Sequence, residues 1–169
     1  MKVWIGLGSN LEDPPTQVRA ALRGLDYLPG TRLTGASSLY GSTPVGPADQ
    51  PDFINAVARI ETRLGPFALL NCLQGMERRA GRIRRRHWGE RVLDLDILLW
   101  GNRVLENPRL RIPHPHLWER PFVLLPLVEV APGLRLPDGE AAATLLRRCG
   151  QQGVWYHGPA ETHQWKEGD

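Results

Sequence analysis

The stretch Arg91-Val92-Leu93-Asp94-Leu95-Asp96-Ile97-Leu98-Leu99-Trp100 reads as a β-strand, because apolar Leu93, Leu95, Ile97 and Leu99 recur at every second position. The same period turns Asp94 and Asp96 to the opposite face, adjacent and pointing the same way. Two neighbouring carboxylates repel and raise each other's pKa unless something positive lies between them. Hard oxygen ligands of this kind suit Mg²⁺, which takes one or two carboxylates and keeps its other positions for water and phosphate oxygens. A solvated polar face on an edge strand is the plain alternative. The pair acquires meaning only from what surrounds it.

Just upstream, Arg78, Arg79, Arg82, Arg84, Arg85 and Arg86 concentrate positive charge, although the net charge is only +3 and lysine occurs only as Lys2 and Lys166. Such a run needs water or an anionic partner, and by itself it suits an RNA-facing loop as well as a phosphate site. Downstream, Gly101-Asn102 can make a tight hairpin back through Arg103-Val104-Leu105. Pro113-His114-Pro115-His116 then forms a stiff loop bearing two imidazoles.

Toward the N-terminus, Lys2 to Leu7 makes a first strand that runs into a small-residue turn, Gly6-Leu7-Gly8-Ser9-Asn10-Leu11. That turn has neither the Gly-Lys-Ser/Thr ending of a P-loop nor the spacing of a dinucleotide fingerprint. A helix follows, with Asp13 as N-cap, Pro14 and Pro15 in its first turn, and Val18, Ala21, Leu22, Leu25 and Leu28 on one face. Thr31 to Tyr40 is a second strand, and Gly41 to Pro51 a proline-constrained loop. The third strand, Phe53 to Glu61, sends Ile54, Ala56, Ala58 and Ile60 to a core. Its other face carries Phe53, Asn55, Val57 and Arg59, and an amide such as Asn55 is costly to bury without a partner. A second helix opens at Gly65-Pro66 and places Gln74 and Glu77 side by side. Phe122 to Val130 is helical on both sides of Pro126, and a last helix spans Glu140 to Arg148. Residues 151–169 read as a peripheral tail on a single domain of 169 residues.

Helices alternate with strands that are mostly one-faced, which predicts an α+β sandwich on a mainly antiparallel sheet. With 41% apolar and 23% charged residues and no long apolar run, the chain fits a soluble globular protein without a membrane segment. Cys72 and Cys149 make neither a disulfide framework nor a zinc site, and the start shows no signal-peptide pattern, so the expected location is cytoplasmic. Paired carboxylates, arginines, histidines and an aromatic-amide strand face together suggest a Mg²⁺-dependent enzyme acting on a phosphate-containing substrate. A basic nucleic-acid-binding module would use the arginines without metal. A Mg²⁺-dependent nuclease would use Asp94 and Asp96 but has no need of Phe53, Asn55 and Phe122.

Four blocks in order sharpen this reading: Gly8-Ser9-Asn10-Leu11; Gly46-Pro47-Ala48-Asp49-Gln50-Pro51-Asp52-Phe53-Ile54-Asn55-Ala56; Trp88 to Ile97; and Ile112-Pro113-His114-Pro115-His116 with Arg120 and Phe122 to Leu127. In these blocks the chain resembles the 6-hydroxymethyl-7,8-dihydropterin pyrophosphokinases of folate biosynthesis, over about Met1 to Leu146. The resemblance implies a monomer with a three-layer α/β/α sandwich on a ferredoxin-like core, moving pyrophosphate from ATP to the pterin alcohol without a nucleic-acid partner. It implies that Asp94 and Asp96 hold two Mg²⁺ ions and that Arg82 and Arg91 assist transfer. Phe53 and Phe122 would stack the pterin, Asn55 would read its amide edge, and Ser42, Val45 and Trp88 would complete its pocket. Gln74, Glu77, Arg84, Ile97, Arg109, His114 and Arg120 would serve ATP. The family commonly has Tyr where this chain has Phe53, and often an aromatic where it has Pro115. The segment Arg84 to Trp88 is one residue shorter than in a well-known bacterial pattern, so Arg84 to Arg86 are not matched individually.

Overall fold

A computed structural model describes residues 1–81 and 89–161. In chain order the elements are β1 (Lys2–Ser9), α1 (Pro14–Leu25), β2 (Thr31–Ala36), β3 (Leu39–Ser42), β4 (Phe53–Thr62), α2 (Pro66–Arg79) and β5 (Asp94–Trp100). After them come β6 (Leu105–Asn107), β7 (Leu110–Ile112), a 3₁₀ turn (Leu117–Glu119), α3 (Pro121–Val130), α4 (Ala142–Cys149) and β8 (Val154–Gly158). The main sheet is antiparallel throughout, in the order β5-β1-β4-β3-β8, with β2 also paired to β4. From β1 to β5, with β2 and β3 counted as one interrupted strand along β4, this is the β-α-β-β-α-β connectivity of a ferredoxin-like unit.

Alternation along the central strands builds two separate cores. Val3, Ile5 and Leu7 of β1, with Ile54, Ala56, Ala58 and Ile60 of β4, pack under Val18, Leu22 and Leu25 of α1 and Leu69 and Leu73 of α2. On the other face, Trp4 and Val57 meet Leu124 and Leu127 of α3 and Leu145 and Leu146 of α4. The result is the predicted α/β/α sandwich. Glu129 of α3 locks the second layer to the sheet edge, accepting hydrogen bonds from the Ser38 amide (2.8 Å), the Ser38 hydroxyl (2.7 Å) and the Tyr40 hydroxyl. Burial, and then that contact, push the Tyr40 phenol above its ordinary range.

The structure departs from the sequence reading at several joints. The strand expected over Thr31 to Tyr40 is two: between β2 and β3, Ser37 turns its hydroxyl to accept the Val57 amide (2.9 Å) where a backbone carbonyl would sit. Glycines 6 and 8 lie inside β1, not in a turn. The Gly101-Asn102 turn does not fold the chain back onto β5, and the hairpin is instead β6 with β7. Within the supposed tail, Val154–Gly158 adds β8 to the edge of the main sheet. A five-residue strand between Gly153 and Pro159 is too short for a period to announce it.

A β-bulge revises the opening strand itself. Trp4 pairs with Leu99 and Ile5 with Ile97, so Leu98 is the extra residue. Beyond it the alternation flips, and Leu99 joins the α3/α4 core instead of sharing a side with Leu95 and Ile97. His114 donates its backbone N–H to the Leu98 carbonyl (2.9 Å), fastening the histidine loop at the bulge.

Candidate functional site

α3 and α4 cover only part of their face of the sheet. The remainder floors a cavity of about 270 Å³. Asp94 lies opposite Gly8 and Asp96 opposite Gly6, so both carboxylates stand beside strand positions that carry no side chain. A β-carbon on Gly8 would sit 3.5 Å from Asn55 Oδ1, and one on Gly6 3.2 Å from the Leu98 side chain. Any larger residue there would fill the floor. Around it the cavity collects Ser42, Val45, Phe53, Asn55, Arg91, Asp94, Asp96, His114, Arg120 and Phe122, all of which the sequence reading singles out.

Each polar group is held by local structure. Asn55 is buried, and its Nδ2 donates to Ser42 Oγ (2.8 Å) and to the Tyr40 carbonyl (3.4 Å). The carbonyl acceptor fixes the amide's orientation, leaving Oδ1 over Gly8 at the cavity floor as an acceptor for a ligand N–H. Arg91 pairs with Asp94 at 2.9 Å. Its backbone is held by Asn10, which accepts the Arg91 N–H on Oδ1 (2.7 Å) and donates its own N–H to the Arg91 carbonyl (3.0 Å). The Asn10 Nδ2 reaches Gln50 Oε1 and the Pro51 carbonyl, both at 3.0 Å. One buried amide thus ties the end of β1 to both chain segments that flank the cavity.

Electrostatics single out Asp96. Burial is the main cause that lifts its carboxyl well above the usual carboxylate range, reinforced by Asp94 and then Glu77, while Arg120 and Arg91 pull the other way. Its side chain nevertheless keeps 39% exposure, so it is reachable from the cleft. His114 moves in the opposite direction, to about 4, through burial and then the charges of Arg120 and His116. Its Nδ1 accepts the His116 amide (3.2 Å), so the neutral ring carries its proton on Nε2, 3.9 Å from Asp96 Oδ1. The Arg120 guanidinium lies 5.7 Å from the centre of the Phe122 ring, and its own pKa is lowered, by burial first.

A divalent cation fits this donor set. Asp94 and Asp96 sit two residues apart on one face, and the Asp94 charge opposes ionisation of Asp96, which a cation between them would relieve. No group of three His, Cys, Asp or Glu side chains suited to a metal occurs among the described residues, and a Mg²⁺ ion held by two carboxylates keeps its other positions for water and phosphate oxygens.

Several expected residues do not line the cavity. Ile97 points into the α1/α2 core. Glu77 is buried behind β5, where its Oε2 accepts the Leu95 N–H (2.9 Å) on the strand edge that β1 leaves open. Arg109 sits at the β6–β7 turn, donating to Asn71 Oδ1 (2.8 Å) over the Phe67 ring, and Gln74 is half-buried on α2. Arg82, Arg84 and Trp88 lie outside the described residues. Conversely, sequence reasoning misses Thr43, which lines the cavity, and the anchoring role of Asn10, while His116 of the two-imidazole loop lines the cavity without a role assigned to it. Gly6 and Gly8 do give a signal, since glycine on alternate positions of a strand leaves one face bare, although in sequence they pass for a turn.

Comparison with known proteins identifies the family to which the chain belongs. Residues 4–132 match the family model described as 7,8-dihydro-6-hydroxymethylpterin-pyrophosphokinase. The chain is 51% identical over 153 residues to a 2-amino-4-hydroxy-6-hydroxymethyldihydropteridine pyrophosphokinase of Pseudomonas aeruginosa, covering 90% of this chain and 94% of that protein. A protein of the same name from Haemophilus influenzae is 50% identical over 145 residues, covering 86% and 91%. Among solved structures, the wild-type Plasmodium falciparum HPPK-DHPS with pteroate superposes with a TM-score of 0.67 at 14% identity. That match takes in 87% of this chain but only 42% of the longer one, and at such identity it speaks for the fold alone. The chain belongs to the 7,8-dihydro-6-hydroxymethylpterin-pyrophosphokinase family.

Proposed function

We infer that this chain transfers pyrophosphate from ATP to 6-hydroxymethyl-7,8-dihydropterin, giving AMP and the pterin diphosphate, in folate biosynthesis. The observation that carries the reading is one cavity in which an aromatic-amide wall faces a carboxylate-arginine wall. Phe53 and Phe122 offer ring faces for a flat heterocycle, worth about 0.5–1.5 kcal/mol per offset pair beyond burial. Asn55 Oδ1 accepts a hydrogen bond from its edge, and the Nδ2 bonds to Ser42 and Tyr40 keep that acceptor turned inward. Val45, half exposed at the rim, covers the ring's side. On the family resemblance, Trp88 is assigned to the pterin, Arg82 to the transfer and Arg84 to ATP.

On the other wall, Arg91 and Arg120 neutralise the phosphates, and His114 presents a neutral N–H donor. Gln74, Glu77 and Arg109 are assigned to the nucleotide side, with Glu77 supporting β5 from behind, whereas the Ile97 side chain packs in the α1/α2 core. Asp94 and Asp96 would hold Mg²⁺, two ions in the reading we favour. When bound, the metal would supply charge neutralisation across the phosphates and orient them. With both substrates held, the hydroxymethyl oxygen attacks the β-phosphorus and gives up its proton to the medium, the bond from that phosphorus to the α–β bridging oxygen breaks, and AMP leaves with that oxygen. Positioning and water exclusion by these side chains supply the catalysis. The enzyme acts as a cytoplasmic monomer of one domain, without nucleic acid. No helix among the described residues is long and apolar enough to cross a membrane.

Purified protein incubated with ATP, Mg²⁺ and 6-hydroxymethyl-7,8-dihydropterin should release AMP only when the pterin is present. ADP formation, or no nucleotide turnover, would overturn the reading. Cleavage of added RNA or DNA would favour the nuclease, and binding that collapses steeply with salt the nucleic-acid module.

A further inference from the structure

The cavity wall at Ser42, Thr43 and Val45 is backed by a part of the chain that lies beyond the family match, which ends at residue 132. β8 pairs antiparallel with β3, Val154 opposite Ser42 and Trp155 opposite Gly41. One step further, the Thr43 amide donates to the Gly153 carbonyl at 3.0 Å. Gly153 has φ +74°, and a β-carbon on it would stand 2.7 Å from Thr43 Oγ1. Two constraints therefore coincide at one residue: a left-handed backbone and direct contact with the wall.

The strand is fastened at its far end as well. Beyond Gly158, the Pro159 carbonyl accepts Arg19 Nη2 (3.0 Å), and Glu161 pairs with Arg23 (2.8 Å), both arginines being on α1. The segment from Gly153 to Glu161 thus spans the sheet edge from the back layer to the cavity wall, bonded at both ends. A second cavity of about 260 Å³ adjoins the first, sharing Thr43, Val45 and Phe122 with it and bounded on its far side by Gln152 and Gly153.

We propose that the C-terminal strand is a positioning element for the pterin half of the site, with Gly153 holding Thr43 so that Ser42 keeps Asn55 aimed at the heterocycle. The proposal rests on the pterin reading, so wild-type turnover is measured first; its absence would refute that reading itself, whereas the variants test the strand alone. In the full chain, Gly153→Ala should raise the KM for the pterin by roughly three- to tenfold, the worth of one backbone hydrogen bond. Affinity for a non-hydrolysable ATP analogue, titrated without pterin, should be unchanged, and the Thr43 amide should exchange its hydrogen faster. In a Thr43→Ala background the penalty of Gly153→Ala should shrink, because the obstructing hydroxyl is gone. Trp155→Ala, which uncovers Gly41 without touching the cavity, gives a milder change in the same two readouts and serves if Gly153→Ala does not fold. Pterin KM and Thr43 exchange unchanged in the variants would overturn the proposal. So would equal losses for pterin and nucleotide that merely track a lowered melting temperature.

Discussion

The two faces of the sheet are made by the same strands and end in different states. On the face under α1 and α2, β1 and β4 contribute Val3, Ile5, Leu7, Ala56, Ala58 and Ile60, and every one is buried. On the face under α3 and α4, the same two strands contribute Gly6, Gly8, Phe53 and Asn55, and part of the surface is cavity floor. One face is closed by dispersion and hydrophobic burial. The other is held open by small residues and by polar groups bonded to each other in advance. Stability therefore belongs chiefly to the first and chemistry to the second, and substitutions should separate the two.

The largest effect is expected on the open face. Asp96→Ala should lower turnover by at least roughly two to three orders of magnitude, as measured by AMP release, while the urea unfolding midpoint stays level or rises. A midpoint that collapsed with the activity would mean that the carboxylate is part of the fold. Leu22→Ala on the closed face should do the reverse, costing about 2–5 kcal/mol of stability, with kcat per folded molecule preserved below its new melting transition. Equal loss of kcat would show that the faces are coupled.

Gly8→Val tests whether the bare floor is functional. Its side chain would grow toward Asn55 Oδ1 and Phe53. The pterin KM should rise by roughly tenfold or more with little change in nucleotide affinity. A variant that binds the pterin normally would remove Gly8 from the site.

The smallest effects are those of pH. The Asp96 carboxyl is raised from an ordinary 3.8 to about 7, so the native protein without metal holds this proton more tightly than the unfolded chain does. Its contribution is therefore present below about pH 4 and is lost as pH rises toward 7. His114 is lowered from 6.5 to about 4, so its contribution is present above pH 6.5 and is lost as pH falls toward 4. Urea unfolding of the wild type, Asp96→Asn and His114→Gln in a chelator should show each substitution removing its own slope. Because cation binding must displace the Asp96 proton, titration calorimetry should find Mg²⁺ binding tighter at about pH 8 than at about pH 6, with proton release. Binding that is flat across that range would place the cation elsewhere.

How much of this is legible in the sequence depends on whether a signal is periodic. The apolar alternation of β4 and the regular apolar spacing of α1 mark the closed face directly, and Asp94 and Asp96 show their common direction in the same way. The Leu98 bulge is invisible to period counting, since Leu98, Leu99 and Trp100 are all apolar, and so the period puts Leu99 on the wrong side. Asn10, Ser37 and Gly153 act through hydrogen bonds to residues distant in the chain, and no local pattern announces such partners. Phe53 and Asn55 emerge from the strand-face mixture and Phe122 from the family resemblance alone, and the three meet in one cavity. Ile97 is linked to ATP by resemblance alone, and it faces the core.

The proposed roles of the open face converge on one event, the meeting of a pterin alcohol with the β-phosphorus of ATP. Phosphorus-31 NMR of the running reaction reads that event directly. The three ATP resonances should disappear, matched one for one by AMP and by the two coupled phosphorus signals of a diphosphate ester of the pterin. Inorganic pyrophosphate with AMP, or ADP with a pterin monophosphate, would contradict it.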